Sequence, residues 1–284
     1  MPELPEVETI ARGVDARVRG DRIEEVWLGR HREPFKTSQA KMAKGLEGSA
    51  ILTVRRHGKH IVCELDGANS GRTSGSRPSA EPSAQWIVHL GMTGRLLVTT
   101  PDAPVASHTH ARLALASGKE LRFVDPRRFG RLEWRDLHRE RPFAAPGAEP
   151  LSIGSAEFAA LFRNRKIAIK AALLNQTLLA GVGNIYADES LFRAGVRPGR
   201  RAGRLTLAEL ERLRRALSEV LQQAIALGGS SVSDYVDANG VRGFFQLEHR
   251  VYQRTGLPCL VCGTPIRRSV IAGRSTHFCP RCQR

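Results

Sequence analysis

Between residues 2 and 18, apolar side chains fall at Leu4, Val7, Ile10, Ala11 and Val14, the spacing of one helical face. Glu3, Glu6 and Glu8 crowd the amino end of that stretch, where the helix dipole favours negative charge. Short strand-like runs follow at residues 51–54, 60–65, 86–90, 112–116 and 121–124, with turn residues between them; they predict a sandwich or barrel-like β domain. The period then changes. Leu207, Leu210, Leu213, Leu217, Val220, Leu221 and Ile225 keep helical spacing over residues 206–227, Thr206 with Glu209 supplies a capping box, and Gly228 can end the helix. Upstream, residues 167–179 and 184–194 read as two helices joined by Ala180-Gly181-Val182-Gly183, and no internal repeat is evident.

Two stretches break the pattern. Of the eighteen residues 67–84, ten are Gly, Ser or Pro, too little apolar surface to offset the entropy of ordering them, so a flexible surface insertion is expected. Residues 141–150 hold three prolines and predict a linker between a β-rich and a helical domain. The fold class is therefore expected to be α+β.

Charge narrows the partners. The 284 residues include 44 Lys and Arg against 28 Asp and Glu, a net +16 that calls for a polyanion. A ribosomal or anionic-membrane protein would be equally basic, but there is no run of about 18 apolar residues and no signal-peptide pattern, which points to a soluble, intracellular chain. Four of the five cysteines form Cys259-x2-Cys262 and Cys279-x2-Cys282, sixteen residues apart, the spacing of a four-thiolate zinc ribbon rather than a disulfide framework. Four protein ligands leave no position for water, so the ion would be structural. Residues 251–284 carry six arginines and no acidic residue, making Arg268 and Arg274 candidates for gripping phosphate. Cys63, in the apolar stretch 61–65, is expected to be a buried thiol with no function of its own.

The amino terminus offers sharper chemistry. Removal of Met1 would expose Pro2 as a secondary α-amine, whose pKa near ~8 leaves on the order of a tenth unprotonated at neutral pH. Attack of such an amine on a sugar C1′ gives an iminium directly, an electron sink that acidifies the C2′ hydrogen. Glu3 follows it and could move protons at the sugar or leaving group.

Five separated motifs, Pro2-Glu3-Leu4-Pro5-Glu6-Val7-Glu8-Thr9, His89-Leu90-Gly91-Met92-Thr93-Gly94, Asp125-Pro126-Arg127-Arg128-Phe129-Gly130, Gly181-Val182-Gly183-Asn184-Ile185-Tyr186 and the cysteine ribbon, span essentially the whole chain. In order and spacing they resemble the formamidopyrimidine-DNA glycosylases. The resemblance implies an N-terminal β-sandwich with its N-terminal helix over residues 1–140, a linker over 141–150, a helix-two-turn-helix domain over 151–250 and a zinc finger over 251–284. It also implies that Pro2 is the Schiff-base nucleophile, Glu3 the proton donor, Lys59 the proton-transfer group of β-elimination, and Arg274 a δ-elimination and phosphate-contact residue.

Met92, Arg127 and Phe129 match the family's void-filling set. A base taken out of the stack leaves a hole and an orphaned partner, which a wedge such as Phe129 and a donor such as Arg127 can fill. Asn184, at a helix start, suits phosphate binding. His89, His110, Arg128, Arg165, Lys166, Tyr252 and Arg268 are further DNA-contact candidates. Residues 228–245 resemble the lesion-reading loop, with Glu6, Ser230, Val232, Ser233, Asp234 and Tyr235 as lesion contacts. The long 67–84 insertion departs from the family pattern.

The expected protein is a monomeric, bacterial, cytoplasmic enzyme, associated with the nucleoid when bound to DNA, with one zinc ion, no organic cofactor and no membrane partner. It would remove 8-oxoguanine and formamidopyrimidines from damaged double-stranded DNA and nick by β,δ-elimination. The rivals are an endonuclease VIII-like enzyme for oxidised pyrimidines and a non-catalytic zinc-finger protein that binds damaged DNA.

Overall fold

The structure is a computed structural model that describes residues 2–67, 81–231, 237–238 and 241–284. Contacts divide the chain into two units: Pro2 with residues 6–145 and 230–243, and residues 3–5 with 146–229 and 244–284.

The first unit is built on α1 (Leu4–Val18), β1 (Ile23–Leu28), α2 (Gln39–Leu46), β2 (Ala50–His57), β3 (His60–Asp66), β4 (Ala84–His89), β5 (Arg95–Thr99), β6 (Thr109–Leu115), β7 (Glu120–Val124) and β8 (Arg131–Asp136). Its strands form two four-stranded antiparallel sheets, ordered β1-β6-β7-β5 and β2-β3-β4-β8. Val54, Ile61, Leu65 and Val88 of one sheet share a core with Leu96, Leu113 and Phe123 of the other, and Val7, Ile10 and Val14 of α1 are buried in it, so this is a sandwich. Cys63 lies in the same core, where burial pushes its thiol pKa up.

All five strands read from periodicity are present, whereas β1, β5 and β8 were not legible: in β1 only Ile23 is buried and two glutamates follow it, and in β8 only Leu132 is buried among charged neighbours. The insertion is anchored at its base, where Gly67 N–H donates to Ser83 Oγ (2.6 Å) and Ser83 N–H to the Leu65 carbonyl (2.9 Å). Residues 68–80 lie outside the described residues.

The second unit contains α3 (Ser155–Phe162), α4 (Ile169–Leu174), α5 (Asn184–Arg193), α6 (Leu207–Ala226) and a hairpin of β9 (Arg267–Ile271) and β10 (Arg274–Phe278). The capping box of α6 is formed, with Glu209 N–H donating to Thr206 Oγ1 (3.2 Å) and Thr206 N–H to Glu209 Oε2 (2.8 Å). Leu210, Leu213, Leu217, Val220 and Leu221 face the core, but Leu207, in the first turn, is 75% exposed. The helix expected at 167–179 is only Ile169–Leu174, because Asn175 Oδ1 accepts from Thr177 N–H (2.9 Å) and turns the chain out. Helix α1 begins at Leu4, so Glu3 precedes it and serves a different helix.

Candidate active site and zinc centre

In the second unit Glu3 is 5% exposed, and its carboxylate accepts Ile185 N–H (3.2 Å) and Tyr186 N–H (3.5 Å) at the start of α5. Those amides have no intrahelical acceptor and lie at the positive end of the helix dipole. Room for the acid is made by glycine: a Cβ at Gly183 would fall on the Glu3 carboxyl group, and one at Gly181 would strike Leu4. Gly181 has φ +87°, and its carbonyl accepts Leu4 N–H (3.0 Å). The Gly-Val-Gly-Asn motif is thus a cradle for the amino-terminal segment. Asn184 opens α5, where its side-chain amide donates to the Ser275 carbonyl (3.0 Å) and the next backbone amide, that of Ile185, is taken by Glu3.

Helix α5 also organises the carboxyl-terminal finger. Asp188 forms an ion pair with Lys170 (2.7 Å), both fully buried, and accepts from His277 N–H (2.9 Å) and Nδ1 (3.1 Å). Lys170 donates further to the Ser275 carbonyl (2.7 Å) and Thr276 Oγ1 (3.0 Å). Burial lowers the Lys170 pKa, and Asp188 works against that shift. Glu189, its pKa raised by burial, accepts the amides of Arg250, Val251 and Tyr252 at 2.8–3.0 Å. The Lys170 and Asp188 contacts fix β10, whose first residue is the exposed Arg274, while the Glu189 contacts hold the 250–252 segment. Arg268, Arg165 and Lys166 are also exposed, and Tyr252 is half-buried. The pattern could have flagged Lys170, Asp188 and Glu189, because charges inside apolar helical runs need partners.

The Sγ atoms of Cys259, Cys262, Cys279 and Cys282 all lie within 4.8 Å of one another, with Cys259–Cys282 at 3.9 Å and Cys262–Cys279 at 3.5 Å. Four ~2.3 Å Zn–S bonds at tetrahedral angles place sulfurs about 3.8 Å apart, so the donors fit one structural zinc ion.

In the first unit Pro2 is buried. Lys59 sits in the β2–β3 turn beside Gly58 (φ +59°) and is 8% exposed. Arg56 braces that turn, donating to the Gly58 carbonyl (3.1 Å) and to Glu8 (2.8 Å). His89 and His60 are cross-strand partners with ring centroids 4.8 Å apart. Burial, helped by the positive charge of Lys59, lowers the His89 pKa, and burial with His89 beside it lowers that of His60 to about 4. The Glu6 carboxylate accepts Ser230 N–H (2.7 Å). Val232, Ser233, Asp234 and Tyr235 lie outside the described residues.

Met92 and Phe129 are 41% and 47% exposed, and the Arg127 guanidinium lies 4.8 Å from the Phe129 ring centroid. Arg128 is exposed and its Nη1 donates to His31 Nδ1 (3.2 Å). His110 is turned inward, 2% exposed, with Nε2–H donating to the Asp125 carbonyl (2.9 Å), which makes it a support within the fold rather than an exposed contact. Among the described residues, no helix is long and apolar enough to cross a membrane.

Three family models match the chain: "Formamidopyrimidine-DNA glycosylase N-terminal domain" over residues 1–132, "Formamidopyrimidine-DNA glycosylase H2TH domain" over 146–236, and "Zinc finger found in FPG and IleRS" over 256–284. The formamidopyrimidine-DNA glycosylase of Solibacter usitatus is 45% identical over 284 residues, covering 100% of both chains. Among solved structures, MutM (Fpg) of Thermus thermophilus is 42% identical with a TM-score of 0.81, covering 99% of this chain and 98% of that one. A MutM in complex with DNA containing carbocyclic 8-oxo-G has a TM-score of 0.86 at 34% identity, with 100% of each chain covered. A sandwich unit, a helical unit and a four-thiolate finger in this order define a zinc-finger DNA glycosylase. The chain belongs to the formamidopyrimidine-DNA glycosylase family, of which glycosylase and AP lyase activities are characteristic.

Proposed function

We propose that the chain is a bifunctional glycosylase and lyase that removes 8-oxoguanine and formamidopyrimidines from damaged double-stranded DNA and then nicks the strand by β,δ-elimination. The observation that carries the reading is the Glu3 carboxylate, withdrawn from water and held on the first amides of α5, next in sequence to Pro2. A group fixed in this way can exchange a proton at one position with little reorganisation. The related MutM that holds 8-oxo-G DNA supports the substrate class.

In the proposed reaction the Pro2 nitrogen, freed by loss of Met1, attacks C1′ of the flipped nucleotide. The C1′–base bond breaks, the base leaves with a proton, and the Pro2 iminium draws electrons from C2′. Glu3 serves the sugar and leaving group, Lys59 transfers a proton as the 3′ phosphate departs, and Arg274 holds phosphate through the second elimination. Met92, Arg127 and Phe129 fill the vacated stack. His89, Arg128, Arg165, Lys166, Asn184, Tyr252 and Arg268 are proposed to line the DNA, and Glu6 with the 230–235 segment to read the lesion. Zinc holds the finger and takes no part in chemistry. The enzyme is proposed to act as a monomer in the bacterial cytoplasm.

Duplexes carrying 8-oxoguanine or dihydrothymine opposite their normal partners test the reading. Preferred cleavage of the 8-oxoguanine duplex to phosphate at both ends of a one-nucleotide gap is the expected result. Preference for dihydrothymine would transfer the chain to oxidised pyrimidines, and binding without cleavage would remove the catalytic assignment.

A further inference from the structure

Asp125 has no exposed surface and no place in the reaction above. It follows β7, and its two carboxylate oxygens serve two different turns. Oδ1 accepts the Thr93 hydroxyl (2.6 Å) in the turn that carries Met92; Oδ2 accepts Gly130 N–H (2.7 Å) in the turn that carries Arg127 and Phe129. The same residue's carbonyl takes the Nε2–H of His110 (2.9 Å).

The turns also meet backbone to backbone. Gly91 has φ +62°, and a Cβ there would fall on the Phe129–Gly130 peptide. Between Arg127 and Phe129, Arg128 is left-handed at φ +56°, a conformation that costs a non-glycine residue energy and persists only where its surroundings enforce it. On either side of it, the Arg127 guanidinium lies over the Phe129 ring, 4.8 Å from its centroid.

We infer that Asp125 is a positioning residue that locks the 90–94 and 125–130 turns into one rigid probe, so that Met92, Arg127 and Phe129 enter the duplex together. The inference rests on the proposed role of those three side chains in filling the stack. Two separately mobile turns would each lose conformational entropy on insertion, and a probe tied together beforehand loses less. A buried carboxylate satisfied by one donor from each turn is a strong tie, because either donor, if withdrawn, leaves one of its oxygens unpaired away from water.

The test places 2-aminopurine beside 8-oxoguanine and follows the fluorescence rise on stack opening, using zinc-loaded Thr93→Val, Thr93→Ser and Asp125→Asn. Met92→Ala, Phe129→Ala and their double variant are measured in the wild-type and Thr93→Val backgrounds. Loss of one charge-assisted hydrogen bond should slow opening by about tenfold in Thr93→Val, with Thr93→Ser restoring it. The two truncations should be non-additive in the wild type and additive in Thr93→Val. Wild-type opening by Thr93→Val, or additive truncations in the wild-type background, would overturn the clamp. Should neither truncation change the opening signal, the stack-filling role itself fails and takes the clamp with it. Asp125→Asn is read only alongside Thr93→Val, so a folding defect in the former leaves the test intact.

Discussion

Glu3 Oε1 accepts the amide of Ile185 at 3.2 Å, and the Cβ that Gly183 lacks would occupy the place of that carboxylate. The two facts make Gly183 a condition for the acid's position. Gly183 has φ −129°, open to any residue, so its substitution acts through contact alone.

Gly183→Ala should therefore displace Glu3 without unfolding the chain. The expected outcome is a loss of base excision of at least ~tenfold with a stability cost of about 1–3 kcal/mol. Single-turnover excision and urea melts measure both, and wild-type excision would contradict the placement.

The Lys170–Asp188 pair is fully buried, so removing one partner strands a charge. Lys170→Met should cost ~3–5 kcal/mol, and Lys170→Met with Asp188→Leu should cost less than the single change. Chemical denaturation of the zinc-loaded variants decides it; a double variant no better than the single would show the pair is not mutually compensating.

His60 and His249 both have pKa values lowered to about 4, chiefly by burial. Between roughly pH 6.5 and 4 the unfolded chain binds protons that the folded chain refuses, so stability is present above pH ~6.5 and is lost as the pH falls toward 4. The urea midpoint should drop between pH 7.5 and 5, and His60→Phe should flatten that dependence. A midpoint independent of pH in the wild type would contradict the burial argument.

One zinc ion per chain is expected by elemental analysis, and its removal should act on the finger first. Stripping zinc, or Cys279→Ser, should abolish hydrogen-exchange protection of β9 and β10 while the sandwich strands stay protected. Protection of the hairpin unchanged by metal loss would mean that the Lys170 and Asp188 contacts to β10 hold it without the ion.

Period and spacing revealed α1, α6 with its cap, five sandwich strands and the four thiolates, because each is set by neighbours within a few turns of chain. Leu207 and residues 175–179 departed from the pattern where helical spacing ran past the core or a side chain offered the backbone a competing bond. The supports of the site were hidden for a different reason. Asp125 and His60 take their meaning from partners distant in sequence, Thr93 and His89, and no local period records such pairs. The glycines at 181 and 183 stood out as a motif, but what they make room for, Glu3, lies at the other end of the chain.

The most direct test of the account is borohydride trapping of the mature protein on duplex DNA with 8-oxoguanine opposite cytosine, with Pro2→Gly and Glu3→Gln in parallel. A covalent adduct that maps to residue 2 and is lost or strongly reduced in both variants is the expected result. No adduct and no cleavage from correctly processed, zinc-loaded protein, on oxidised purine or pyrimidine duplexes, would contradict it.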